Sequence, residues 1–404
     1  MIIYLSFVGI KTEKFNEKIT NRILEINKKV NLDLKDVNFL LNPFKFTLNI
    51  NTKDPKILLD GNQILIKDIR TKISIKSLIT NEFIINDLEI RTKAIKLKDL
   101  IKLGKSFKNS TELFLLDKFI KDGYLTANIN LKFDTTGKIK DNYYINGFVE
   151  NSELDILKKF NAKKLNFDFE INKNKYKLKN IDVKFNNIKM ELPLIEVNEK
   201  NNLFLVNGTV ETNKKYFDSK QLDLLFGDLL KNINIEKVNF STVNKFSFNV
   251  NKKLKINDLK LDSKIDLNKL VIEKKLLGIN SYLPNYNKKL IFENHKILIN
   301  FNKKKFDISG KGKILIGDKP DSLNYEIIKN KDQFNFDMQI NLKNNELLID
   351  FLDYKKKKDL NSFINIKGVF NNKDLINFNL ISLEEQNNKI LFKNLNLYKE
   401  LKVI

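Results

Sequence analysis

The sequence predicts a mostly β protein: an elongated, curved antiparallel sheet that forms an open groove, with a few short helices. Three observations predict it. Apolar and polar residues alternate over most of the chain after residue 31, which is the period of a strand with one buried face. Clusters of Asn, Asp, Gly and Lys separate successive runs, as turns between antiparallel strands do. Helical segments are few, whereas parallel strands need a helix between them.

Composition excludes several kinds of site. The chain has no Cys and a single His, His295, so a disulfide, a Cys–His dyad and a zinc cage of Cys and His are excluded. No metalloprotease, serine hydrolase, dinucleotide-binding, Walker or calcium-loop motif occurs. Gly310-Lys-Gly312 resembles a phosphate-loop fragment but lies in an alternating strand, so we interpret it as a bulge or bend. His295 is interpreted as a surface or hairpin residue. We therefore expect no enzyme activity, catalytic residue, metal or cofactor.

The charge is strongly positive but is carried by lysine. The chain has 73 Lys plus Arg against 50 Asp plus Glu, a net charge of +23, and its arginines are Arg22, Arg70 and Arg91. Nucleic-acid readers favour Arg, whose planar fork clamps phosphates and guanine edges. A solvated lysine face is the favoured interpretation, with attraction to anionic lipid head groups and nucleic-acid binding as alternatives. The lysine run from Tyr354 to Asp359 is expected at a hairpin tip, with Lys356 on the surface.

The N-terminus combines two apolar elements. Residues 1–13 begin with ten uncharged residues, fewer than the roughly 20 that cross a bilayer. We interpret them as the remnant of a membrane anchor, with a buried first strand as the alternative. Phe15, Ile19, Ile23 and Ile26 then fall on one face of an amphipathic helix, which would either cap the end of a sheet or lie on a membrane surface.

Helical interruptions suggest where the β structure divides. One helix is predicted from Leu97 to about Phe119, and another from about Phe217 to Leu230, where Leu222, Leu225 and Leu229 share a face. We therefore expect three groove segments: residues 14–120 with the N-terminal helix, residues 121–231 ending in a helix, and residues 232–404.

Five runs show the strand alternation most clearly. Their apolar residues are Phe44, Phe46, Leu48 and Ile50; Leu125, Ala127, Ile129, Leu131 and Phe133; Leu165, Phe167, Phe169 and Ile171; Phe246, Phe248 and Val250; and Phe334, Phe336, Met338 and Ile340. The residues expected to line the groove are Leu165, Phe167, Phe169, Phe246, Phe248, Phe334, Phe336 and Met338.

The alternation slips by one residue at several Asn or Asp positions. The slips fall at Asn86-Asp87, Asn180, Asn257-Asp258 and Asn394. A one-residue slip would turn every later side chain to the wrong face unless a β-bulge absorbs it, and a bulge also bends and twists the strand. We therefore predict bulges in long, curved strands. The alternative is a turn between two short strands at each slip.

The apolar face of the predicted sheet would be exposed to water, because there are few helices to cover it, unless a ligand or a second sheet packs on it. An open apolar groove is an aggregation hazard unless something apolar fills it. Lipid acyl chains fit, because a tail of about 14 methylenes gains about 11 kcal/mol on leaving water for such a surface. The alternative is a structural or adhesion-type β-sandwich, in which two greasy faces pack about 10 Å apart.

The first 100 residues resemble the opening of AsmA-like proteins. The resemblance rests on an apolar stub, an amphipathic helix and four segments that follow: Val30-Asn-Leu-Asp-Leu-Lys-Asp-Val37, Asn49 to Gly61 with Pro55, Ile64 to Leu78, and Ile84-Ile-Asn-Asp-Leu-Glu-Ile90. It implies a repeating β-groove (β-taco) fold and an inner-membrane anchor with the body in the periplasm. It further implies phospholipid transfer between inner and outer membrane or outer-membrane lipid homeostasis, with acyl chains and the membrane as partners. Because Arg is scarce, nucleic acid is not expected as a partner.

Overall fold

Strands dominate the structure, a computed structural model, and the mostly β prediction is confirmed. The chain divides into two compact units, residues 1–204 and 205–404. The structure describes residues 2–13, 16–17, 20–21, 24, 28, 30–59, 62–75, 85–107, 111–134, 140–156, 160–186, 188–201, 203–217, 221–222, 234–251, 253, 255–273, 279–286, 289–303, 305–330, 333–371 and 375–398.

Unit 1 is an antiparallel sheet with short helices. Its helices are α1 (Ile2–Phe7), α2 (Leu97–Phe107) and α3 (Thr111–Phe119). Its strands are β1 (Ile10–Thr12), β2 (Val30–Asp33), β3 (Val37–Asn42), β4 (Thr47–Lys53), β5 (Lys56–Leu59), β6 (Asn62–Ser74), β7 (Ile85–Thr92), β8 (Ile95–Lys96), β9 (Ile120–Lys132), β10 (Tyr144–Ile156), β11 (Phe160–Asn172), β12 (Lys175–Phe185) and β13 (Ile188–Lys200). From β9 to β13 each strand pairs with the next along the chain.

Unit 2 is likewise built from antiparallel strands, and its two longest strands have 17 and 18 residues. The unit boundary falls within β14 (Leu203–Phe217), which precedes β15 (Ile235–Asn251), β16 (Ile256–Glu273), α4 (Ile279–Tyr282), β17 (Lys289–Phe301), β18 (Phe306–Leu315), β19 (Pro320–Asn330), β20 (Gln333–Asn341), β21 (Leu347–Ile349), β22 (Tyr354–Lys356), β23 (Phe363–Asn371), β24 (Leu375–Glu385) and β25 (Asn388–Tyr398). Sequential strands pair from β15 to β20, then β20 pairs with β23, β23 with β24 and β24 with β25. The hairpin β21–β22 forms a separate two-stranded sheet.

Three predicted slips are bulges inside continuous strands. Asn180 has a φ of 52° and is the extra residue of β12 opposite β11, and Asp258 has a φ of 52° and is the extra residue of β16 opposite β15. Asn86 is the extra residue of β7 opposite β6. The left-handed region suits Asn and Asp better than other L-residues, which explains their recurrence at these positions. The alternative of turns is therefore wrong at Asn86, Asn180 and Asp258.

Asn394 behaves differently at the level of pairing. It has a φ of 56° within the continuous strand β25, yet β24 and β25 stay in register. The register shift lies between β23 and β24, where Asn379 is the extra residue. Because both β24 and β25 switch phase at the same level, Ile381 and Phe392 pair on one side of the slip and Phe378 and Leu395 on the other.

Two local predictions are wrong. Phe44 and Phe46 lie in the turn between β3 and β4 and are 94% and 71% exposed, because the Asn42 side chain accepts a hydrogen bond from the Lys45 backbone N–H (3.1 Å) and closes the chain there. The helix predicted from Leu97 to Phe119 is two helices, α2 and α3. Lys105 of α2 forms an ion pair with Asp117 of α3 (2.6 Å).

Several N-terminal and helical predictions lie largely outside the described residues. They are the amphipathic helix from Phe15 to Lys29 and the helix from Phe217 to Leu230, of which Phe217 itself ends β14. Within the described ranges, no helix has the length and apolar character needed to cross a membrane. In the segment interpreted as an anchor remnant, α1 has six residues and is followed by β1, which pairs with β3.

Candidate functional site

An apolar row crosses the sheet of unit 2. Residues directly opposite each other on antiparallel strands share a face. The pairings from β15 to β24 therefore place one set of side chains on one face, which we call the aromatic row: Phe246, Leu261, Phe301, Phe306, Lys329, Phe334, Phe370 and Ile376. All eight are partly buried. The row thus joins Phe246 and Phe334, two predicted groove residues that are 88 positions apart in the sequence.

The rings of the aromatic row pack on one another. Phe334 and Phe370 stack with centroids 4.8 Å apart and planes 3° from parallel. Phe301 and Phe306 meet edge to face at 6.2 Å. Such contacts contribute about 0.5–1.5 kcal/mol each beyond the area they bury. Each contact joins rings on two neighbouring strands of the row.

A second apolar row lies beside the first and contains Phe336. It runs through Ile299, Ile308, Ile327, Phe336, Gly368 and Phe378. Phe336 meets Phe378 edge to face at 5.8 Å. Its ring covers Gly368, where an added Cβ would approach the ring to 2.5 Å. Glycine at this position therefore lets the ring lie flat on the sheet.

The other predicted residues of unit 2 divide between this surface and a closed core. Phe246 and Phe248 on β15 have ring centroids 5.8 Å apart and are partly buried. Met338, by contrast, packs against a core cluster that includes Leu323, Leu342 and Leu347. Met338 therefore marks the place where the apolar face passes from partly exposed to covered.

A segment between β20 and β23 covers that end of the face. We call residues 342–362, which contain β21 and β22, the cap segment. Leu342, Leu347 and Tyr354 of the cap segment pack with Tyr286 and with the sheet residues Ile314 and Leu383. The apolar face of unit 2 thus has a covered end under the cap segment, while the aromatic row lies towards the opposite end of β19 and β20.

A buried lysine anchors the cap segment. Lys356 is 0% exposed, and its Nζ donates hydrogen bonds to the backbone carbonyls of Lys343 (3.0 Å), Asn345 (2.7 Å) and Lys357 (3.0 Å). Loss of water lowers its pKa, and Asp321 is foremost among the carboxylates that oppose this shift. The expectation that Lys356 lies on the surface at a hairpin tip is wrong. The tip of the hairpin is the 3₁₀ turn Asp350–Leu352, and Lys356 lies on the strand that follows this turn, β22.

Two carboxylates complete the polar anchor. Asp321 accepts hydrogen bonds from the backbone N–H groups of Lys343 (2.9 Å) and Asn344 (2.8 Å) and from the Asn345 side chain (2.7 Å). Glu385 accepts hydrogen bonds from the hydroxyls of Tyr354 and Ser362. Burial and the adjacent Glu385 carboxylate raise the pKa of Tyr354 well above its usual value. These contacts satisfy polar groups that would otherwise destabilise a packed core, so we assign them a structural role.

His295 is buried rather than on the surface. It is 1% exposed and lies over Gly312. Its ring centroid is 5.6 Å from that of Phe292 and 5.9 Å from that of Tyr325. The preceding residue, Asn294, has a φ of 54° at a bulge, which turns Phe292 and His295 to the same side. His295 Nε2–H donates to the Lys313 carbonyl (2.9 Å), and burial lowers the pKa of the ring. The ring is therefore a neutral core group, and Gly312 leaves room for it instead of forming a phosphate loop.

Unit 1 has an apolar face that a helix partly covers. Phe169 is buried in a cluster with Val149 and with Leu97 and Ile101 of α2, and Phe167 packs against this cluster. Leu165 is partly buried two residues earlier on β11, so it shares their face. The structure thus places Phe167 and Phe169 in one cluster with residues of α2, and Leu165 beside them on the same face of β11.

The opposite faces of both sheets carry the charges. Lys177 pairs with Glu196 across β12 and β13 (2.9 Å), and Lys367 pairs with Asp337 across β23 and β20 (2.7 Å). Each unit has a depression on this side, of 610 Å³ in unit 1 and 720 Å³ in unit 2, and their linings include Asp168, Glu170 and Lys179 in the first and Lys296, Lys311 and Asp337 in the second. Charged side chains line both depressions, and the cost of removing them from water disfavours an acyl chain there.

Chemistry-bearing residues do not converge elsewhere in the described part of the chain, where no three His, Cys, Asp or Glu side chains form a group able to hold a metal ion. The residues that sequence reasoning missed are Lys329 and Lys356. For Lys329 a signal exists, since it continues the alternation of Leu323, Tyr325 and Ile327. Lys356 has none, because its partners are backbone carbonyls brought together by the fold.

Comparisons with known proteins add no relative. No protein-family model, curated protein or solved structure matches this chain.

Proposed function

We propose that this chain binds phospholipid acyl chains along an apolar β-groove and transfers them without catalysing a reaction. The observation that carries the proposal is the aromatic row, together with the row beside it. Apart from Lys329, they form an apolar surface of partly buried side chains, with a covered end at the cap segment. An acyl chain laid on such a surface gains about 0.8 kcal/mol for each methylene removed from water.

The surroundings of the face fit this role. Bulges lie in the long strands at Asn180, Asp258 and Asn294, and a bulge bends and twists its strand locally, as the proposed groove requires. Lysines along the rim of the groove would meet head-group phosphates as mobile point charges. Following the resemblance to AsmA-like proteins, the proposed setting is an inner-membrane anchor with the body in the periplasm, and the proposed role is transfer between inner and outer membrane or outer-membrane lipid homeostasis.

The first test asks whether the protein carries lipid. The purified full chain, with its strand content checked by circular dichroism, is extracted with organic solvent, and the extract is examined for phospholipid by mass spectrometry. We expect co-purified phospholipid. A folded preparation without bound phospholipid would favour the structural or adhesion-type β-sandwich, in which the apolar sheet faces pack on each other.

The second test places one lysine on each face. Phe336→Lys puts a charge in the middle of the apolar surface, whereas Leu298→Lys puts the same charge on the polar face, where Leu298 is already 47% exposed. Phe336→Lys should reduce lipid retention several-fold, because a charge in an apolar site is costly, and Leu298→Lys should leave it unchanged. Equal retention by both variants would contradict binding on this face.

A further inference from the structure

Lys329 is the one charged member of the aromatic row. It lies directly opposite Phe306 on β18 and Phe334 on β20. On β19 it follows Ile327 and Tyr325 at intervals of two, and both strand pairings hold their register, so its side chain emerges on the apolar face. Lys329 therefore places a positive charge among the apolar side chains of the aromatic row.

The ammonium group of Lys329 is held against a ring. Its Nζ lies 5.3 Å from the centroid of Phe334, a cation–π contact, and the residue is partly buried. Across residues 305–330 and 333–371, no carboxylate lies within ion-pair distance of it. Nearby lysines differ in this respect, since Lys305 pairs with Asp307 and Lys367 with Asp337. Lys329 thus offers a positive charge that an anion from outside the chain can complement.

The position of Lys329 gives the surface a direction. It is one residue from the C-terminal end of β19, at the same end of the sheet as Phe301, the last residue of β17, and Phe306, the first residue of β18. Towards the other end of β19, Tyr325 packs against the core under the cap segment. Lys329 and Tyr325 are separated by about 14 Å at about 3.4 Å per residue. A chain lying from Lys329 towards Tyr325 would pass over Ile327 and Phe336.

We propose that Lys329 binds the anionic head group of a phospholipid whose acyl chain lies on Phe334, Phe336 and Ile327 and points towards the cap segment. This inference rests on the proposed function and adds the charge and orientation of the ligand. The head group stays at the turn end of the strands, where water reaches it, and the tail enters the apolar region. A phosphate beside the ammonium replaces the counterion that the apolar surface does not supply.

The experiment compares two lipids that share their tails. Affinities of the full chain for dioleoylphosphatidylglycerol and for dioleoylglycerol are measured in the same neutral detergent micelles, and their ratio is the readout. Lys329→Met keeps the aliphatic stem and removes the charge, and should lower the ratio about fivefold, the factor expected for one lost lysine–lipid charge contact. Lys329→Arg should retain the ratio. Lys311→Met, an exposed lysine on the polar face, loses the same charge and should behave as wild type.

The outcomes separate this inference from the proposed function. If both lipids bind and Lys329→Met leaves the ratio unchanged, the Lys329 assignment is overturned while acyl-chain binding stands. An equal fall in Lys311→Met would also overturn it, since net charge would then explain the effect. If the wild type binds neither lipid, the proposed function fails and the inference with it. Should Lys329→Met not fold, wild-type affinity for phosphatidylglycerol must weaken with added salt while affinity for dioleoylglycerol holds, and a shared response would overturn the assignment.

Discussion

The ring of Phe246 lies directly over Gly208, where an added Cβ would approach ring atoms to 2.4, 2.8 and 3.2 Å. The three nearest atoms all belong to Phe246, so the two positions are coupled sterically. The absence of a side chain at Gly208 on β14 thus leaves room for the ring of Phe246, a residue of the aromatic row.

Gly208→Ala should destabilise the protein by about 1–3 kcal/mol, because overpacking forces the ring of Phe246 off its site. In a Phe246→Ala background the same change should cost little, since the obstructing atoms are gone. Urea unfolding of the two single variants and the double variant gives the coupling energy. A double variant whose loss equals the sum of the single losses would show that the ring does not limit the space at Gly208.

The stability of the protein should fall as the pH falls below about 6.5. His295 is buried and its pKa lies below the usual value of 6.5, so the unfolded chain takes up a proton that the folded chain resists. The contribution is full above pH 6.5 and is lost as the pH drops towards the lower pKa of the folded state, at up to about 1.4 kcal/mol per pH unit. His295 is the only histidine, so His295→Gln should remove this part of the pH profile. An unchanged profile between pH 5 and 6.5 would refute the assignment.

Lys356→Met should loosen the cap segment. The variant keeps most of the side-chain volume but leaves the carbonyls of Lys343, Asn345 and Lys357 without their donor, which costs about 3 kcal/mol. Amide hydrogen exchange over residues 345–357 should accelerate by about 100-fold, the factor for that free energy. Lys355→Met, the exposed neighbour, is the control and should leave exchange unchanged. Comparable acceleration in both variants would argue against an anchoring role for Lys356.

Asn180→Val should destabilise β12, whereas Asn180→Gly should be nearly neutral. Asn180 has a φ of 52° and its side chain donates to Asp168 (2.8 Å). A β-branched residue in the left-handed region costs about 1–2 kcal/mol, and glycine adopts it freely. Lys184→Val, exposed on the same strand, controls for the side chain itself. Thermal unfolding ranks the three variants, and equal stability of Asn180→Val and Asn180→Gly would contradict the bulge.

The β period and its slips were readable in the sequence because they reflect local chemistry. Asn180 and Asp258 absorb a phase change that would otherwise turn Ile181 or Leu261 to the wrong face, and Asn and Asp tolerate the required backbone. The strand predicted at Phe44 and Phe46 was wrong because these residues alternate with polar ones as in β4 but lie in the turn that precedes it, which begins at Asn42 and Pro43. There the hydrogen bond to Asn42, which depends on the folded turn, outweighs the pattern.

Burial of single polar residues could not be predicted in the same way. His295 stands in a polar stretch of sequence, yet the bulge at Asn294 and the absence of a side chain at Gly312 create its site. Lys356 is one of four consecutive lysines, and only the path of the cap segment decides which of them meets three carbonyls. Such sites depend on contacts between distant parts of the chain, which local patterns do not encode.

From β15 to β20 every strand pairs with its immediate successor. A duplicated hairpin inserted at one of these turns would therefore widen the sheet by two strands and leave the existing pairings intact. Evolution could adjust the reach of such a protein in increments of one hairpin, and an engineer could use the same unit to lengthen or shorten it.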